Sequence, residues 1–104
     1  MSYVLGNLPK QFVVTATLTP VEVAANTSAE QTFTVTGLAV GDHVIVNKPT
    51  AQAGLGIVGA RVSAANTLAL TFMNATGTPI TPTAAQAYLV LVSRPDRTLT
   101  SALF

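Results

Sequence analysis

The chain has 104 residues, a length that suits one domain with a core of its own. Five basic and four acidic side chains give a charged fraction of 9%, against roughly 25% in a typical domain, and a formal net charge of +1. This balance lacks the basic footprint of a nucleic-acid binder, and the absence of cysteine excludes disulfides and thiolate metal sites.

Residues 1–11 show no apolar period and contain Gly6, Asn7 and Pro9, so they read as an N-terminal arm. From Phe12 to Thr19 the period is two. Phe12, Val14, Ala16 and Leu18 share one face, and Val13, Thr15, Thr17 and Thr19 the other, which predicts a strand with one buried face. Pro20 interrupts it, and Val21-Glu22-Val23 is expected to be a short edge strand. Asn26 to Glu30 reads as a polar turn.

The alternation resumes over Gln31–Thr36, with Phe33 and Val35 inward. It returns over His43–Asn47, with Val44 and Val46 opposite His43, Ile45 and Asn47. Pro49 to Gly56 is expected to be a loop. A hairpin then follows: Val58, Ala60 and Val62 form one face of its first strand, and Leu68, Leu70 and Phe72 one face of its second. Ala64-Ala65-Asn66 forms the turn, where Asn tolerates the left-handed conformation of short loops. Ala75 to Ala85, rich in Thr, Pro and Gly, is the longest predicted loop. Ala87–Ser93 is apolar on both faces and reads as a central strand. Residues 94–104 form a C-terminal arm.

Six to eight short strands with turn signals between them and no helical stripe predict an all-β, antiparallel sandwich or jelly-roll-like domain over 12–93, flanked by two arms. The longest apolar run, Ala87–Val92, is too short to span a bilayer, and residues 1–6 lack the regions of a signal peptide. No membrane association is expected, and synthesis in a host cytoplasm is. A surface built from Thr, Ala, Ser and Asn loses its water cheaply, which suits a protein that packs against other copies or partners.

Motifs that carry chemistry are weak. Gly54, Gly56 and Gly59 spell GxGxxG, yet a loop precedes them, no helix signal follows, and no acid lies between Asp42 and Asp96 to hold a ribose. They read instead as glycines that let backbone turn or pack closely. His43 is the lone histidine; its neighbour Asp42 points to the other face of a strand, and no GxSxG elbow is present. A metal at His43 would lack His or Cys partners. Glu22 and Glu30 are the only glutamates, and no Trp is available to stack a sugar beside them. Asp42 after Gly41 is expected to bond nearby backbone in a turn. No catalytic, cofactor-binding or metal-binding residue is assigned, and no enzyme is expected.

Five residues are candidates for an interface. Arg61 lies within a strand among apolar neighbours, so it either snorkels outward or meets a carboxylate across an interface. Arg94 and Arg97 flank Pro95-Asp96. Leu103 and Phe104 place apolar side chains where docking on a neighbour would bury them.

The residues Phe33-Thr-Val-Thr-Gly-Leu38, Gly41-Asp-His-Val-Ile-Val46, Pro49, Gly54-Leu-Gly-Ile57, Ala60-Arg-Val-Ser-Ala-Ala-Asn-Thr-Leu-Ala-Leu-Thr-Phe72, Asn74, Ile80-Thr-Pro82 and Tyr88 form a string over residues 30–95. This string resembles small virion proteins of tailed bacteriophages, cyanophage cement (decoration) proteins among them. The resemblance implies a β-sandwich in a symmetric homo-oligomer, a trimer favoured, on the outer capsid surface of the virion. There it would join subunits of the major capsid protein, without nucleic acid or cofactor. The alternative is a tail, spike or fibre component, or a module that recognises host glycan, for instance through Tyr88 or residues 75–85.

Overall fold

A computed structural model describes residues 10–95. Six strands follow in chain order: β1 (Lys10–Leu18), β2 (Thr27–Thr34), β3 (His43–Asn47), β4 (Leu55–Ala64), β5 (Thr67–Asn74) and β6 (Gln86–Arg94). They form two three-stranded antiparallel sheets, in the orders β1-β6-β3 and β2-β5-β4. Among successive strands only β4 and β5 share a sheet as neighbours; every other connection passes from one sheet to the other. The described residues contain no helix.

Alternation makes these sheets one unit. In the first, the even-numbered side chains of β1 and β6 face inward in rows that run across the strands: Phe12–Val92–Val44, Val14–Val90–Val46 and Ala16–Tyr88. In the second, Phe33–Leu68–Val62, Gln31–Leu70–Ala60 and Ala29–Phe72–Ile57 do the same. Apart from the exposed Ala29, the apolar members of both sets join a single hydrophobic core. Leu68, Leu70, Phe72, Tyr88, Val90 and Val92 are fully buried, and each large apolar side chain contributes about 1.5–3 kcal/mol on burial. β6 is the centre of its sheet, as its two apolar faces predict, and the long loop over residues 75–85 is present between β5 and β6.

The structure departs from the sequence reading at several places. Val21–Val23 is no strand; Val23 alone bridges Ile80. Thr27–Glu30, read as a turn, is the first half of β2, because β5 offers it partners from Asn74 to Thr71; the turn is confined to Ala25-Asn26. At its other end β2 stops at Thr34 rather than Thr36. Val58, read on one face with Ala60 and Val62, is exposed: a bulge between Ile57 and Gly59 shifts the phase of β4, so Ile57 joins Ala60 and Val62 on the inner face in its place. Lys10 and Gln11, assigned to the arm, begin β1, and Arg94 ends β6.

The predicted hairpin is present. Asn66 takes φ 57° in its turn, accepts from Gly37 N through its side chain at 2.8 Å, and donates its backbone N–H to Leu38 O. Gly54 sits at φ 79° ahead of β4, where a Cβ would collide with the Thr76 methyl. Its carbonyl accepts from Ala75 N at 2.8 Å, joining the start of β4 to the end of β5.

Candidate functional site

The outer face of the β1-β6-β3 sheet is built from the residues that alternate with its core rows. Val13, Leu91 and Ile45 stand opposite one another and form a row across all three strands. Thr15, Leu89 and Asn47 form the next row, and Gln11, Ser93 and His43 flank the first on its other side. Val13 and Ile45 are 59% and 58% exposed, and Leu89 and Leu91 are also open to solvent. Strand propensity accounts for the choice of Val, Ile and Thr here, but burial does not, since these side chains have no partner within the described residues. No Lys, Arg, Asp or Glu stands in these rows.

The outer face of the other sheet is different. Arg61 donates from Nε and Nη2 to the two carboxylate oxygens of Glu30, both at 2.9 Å. The pair crosses β5, for Arg61 stands opposite Ala69 and Glu30 opposite Thr71. This contact lowers the Glu30 pKa and raises that of Arg61. Thus Arg61 has its carboxylate partner inside the chain. The partner was hidden from sequence because residues 27–30 read as a turn; as part of β2, Glu30 lies one strand away from β4 through β5.

Arg94 is likewise engaged within the chain. Its Nε and Nη2 donate to Asp42 Oδ1 and Oδ2 at 2.7 and 2.8 Å, and Nη2 also donates to Gly37 O at 2.8 Å. The guanidinium lies 5.6 Å from the centroid of the Phe12 ring. The Asp42 side chain is almost wholly buried and accepts from Ala39 N at 2.9 Å, the backbone role expected of it. Hydrogen bonding from Arg94, opposed by desolvation and aided by the Ala39 N–H, holds the Asp42 carboxyl below its ordinary range. Arg97, Leu103 and Phe104 lie outside the described residues, as do the two arms beyond Lys10 and Pro95.

His43 is exposed on the rim of the apolar row, and Asp42 is committed to Arg94 and Ala39 rather than to it. Among the described residues, no three His, Asp or Glu side chains stand together in a metal-ligating group. An open depression between the sheets, lined by Val46, Leu55, Ile57, Lys48, Thr50 and Gln52, measures about 280 Å³. Lys48 there donates to Thr50 O at 2.6 Å, and partial burial lowers its pKa.

Two buried polar groups had no signal in the sequence. Asn74 is fully buried and holds loops together: Nδ2 donates to Val23 O and Thr78 O, and Oδ1 accepts from Thr76 N and Oγ1. Tyr88, offered as a glycan contact in the alternative reading, is fully buried in the core. Its hydroxyl has no hydrogen-bond partner among the described residues, and burial raises its pKa.

Compared with known proteins, the chain matches no family model, no curated protein and no solved structure.

Proposed function

We propose that this chain is a non-enzymatic structural protein of a phage virion, a cement protein that docks on the outer capsid surface and holds neighbouring coat subunits together. The observation that carries the reading is the uncharged aliphatic row Val13–Leu91–Ile45, with Leu89 beside it, exposed on the outer face of the β1-β6-β3 sheet. Apolar side chains at the centre of a polar, charge-free patch are the composition of a protein–protein contact. The resemblance over residues 30–95 supports the capsid as the partner. Two sheets on one core support a β-sandwich; a jelly roll takes eight strands, more than the six of the described residues.

Area sets the mechanism. Three strands about 4.8 Å apart and up to nine residues long present roughly 400 Å² on one face. Covering it removes about 800 Å² in total, below the ~1,200–2,000 Å² of a stable pair. One such contact is weak. Several held at once, by copies linked into an oligomer, add through effective concentration and resist pressure from inside the shell.

Reconstitution tests this reading. Purified protein is added to capsid shells that lack it, and co-sedimentation and shell melting are followed. Saturable binding with a raised shell melting temperature is expected. Binding to host glycans with none to shells would favour the recognition-module reading and overturn this one.

A further inference from the structure

We infer that the edge of β1, unpaired among the described residues, is a self-association site, where β1 of a second copy pairs antiparallel across a two-fold axis and merges two three-stranded sheets into one of six. This does not rest on the capsid reading.

The four sheet edges are unequal. β3 is five residues long. β4 carries two register irregularities and Arg61, features that twist and charge an edge. β2 carries Glu30, and the Gln31 amide is bonded to both N and O of Val21, which brings another segment alongside. β1 has none of these. Its nine residues pair with β6 without a shift, contain no proline, and carry one charge, Lys10, at the end. No backbone hydrogen bond on its far side is made within the described residues. A long, regular, neutral edge of Val and Thr is the kind of edge that accepts another strand.

The aliphatic row identifies the occupant and the register. It runs from Ile45 through Leu91 to Val13 and stops at this edge, with Val13 its most exposed member. Directly opposed residues of antiparallel strands share a face, so Val13 facing Val13 of a second copy continues the row across the axis. That register sets Phe12 against Val14, Gln11 against Thr15 and Lys10 against Ala16, and no like charges meet. The two Lys10 side chains stand about six residues apart along the sheet, roughly 20 Å. An isologous edge closes on two copies, which differs from the trimer that the resemblance implies.

Sedimentation equilibrium over a wide concentration range tests the inference, with melting curves confirming that each variant folds. A reversible dimer is expected. Val13→Lys sets two ammonium groups face to face and should weaken it at least ~10-fold, a shift of about 1.4 kcal/mol. An equimolar mixture of V13K and V13E should restore pairing. Leu91→Lys, on the central strand, should leave the dimer intact, which separates edge pairing from packing through the sheet face. A monomer throughout, a trimer, or a dimer that L91K breaks and V13K spares would overturn the inference. The same dimer with no affinity for shells would overturn the capsid reading alone.

Discussion

Arg94 grips Asp42 with two hydrogen bonds of 2.7 and 2.8 Å and so ties the last residue of β6 to the turn that leads into β3. Because Asp42 also accepts from Ala39 N, its removal frees a backbone donor and a guanidinium together. Asp42→Ala should lower the thermal midpoint by about 5–10 °C. The folded Asp42 pKa is depressed, so its stabilisation is fully present above the unfolded carboxyl value. It is lost as pH falls from there through the folded value. In thermal melts across acid pH, the gap between wild type and D42A should therefore narrow below about pH 4. A gap that widens there would contradict the assignment.

The Arg61–Glu30 pair has similar distances and a different consequence. The Arg61 side chain is 65% exposed, so solvent and salt screen the attraction. Arg61→Ala should move the thermal midpoint by less than ~3 °C, with the difference vanishing in high salt. A loss as large as that of D42A would show that the pair organises the sheet.

Tyr88 carries a hydroxyl into the core without a partner among the described residues. Tyr88→Phe keeps the ring and removes the desolvated group, so it should raise stability by about 1 kcal/mol in denaturant unfolding. A fall of that size would mean that the hydroxyl has a partner in solution.

Asn74 offers the opposite case, a buried amide whose donors and acceptor are used. Asn74→Ala strips Thr76 N of its acceptor and takes one of two donors from each of Val23 O and Thr78 O, and should cost about 2–4 kcal/mol. Asn74→Asp should fail to rescue it, because the carboxylate cannot donate to the two carbonyls. Full rescue by N74D would contradict the donor role.

Much of the fold was legible because a period of two is a local property. His43–Asn47 was located to the residue, and the β4–β5 hairpin with Asn66 in its turn followed from alternation and turn chemistry alone. The misses are non-local. Thr27–Glu30 has a polar sequence and becomes strand because β5 lies beside it. Val58 faces solvent because a bulge adds one residue, a device with no signature in hydropathy. The partners of Arg61 and Arg94 sit 31 and 52 positions away, beyond any spacing rule. The exposed row was half visible: Leu89 and Leu91 were read as the second apolar face of β6, whereas its extension through Val13 and Ile45 needs the register of three strands.

The central claim is that this row is the docking face. The most direct measurement is the affinity for capsid shells of an Ile45→Lys, Leu91→Lys double variant beside Arg61→Ala, whose change lies on the opposite sheet. Both substituted side chains of the double variant are exposed, so the fold should persist, as circular dichroism would check. Shell binding should fall by ~100-fold or more for I45K/L91K, about 2.8 kcal/mol, and stay near wild type for R61A. Unchanged binding by a folded I45K/L91K protein would contradict the account.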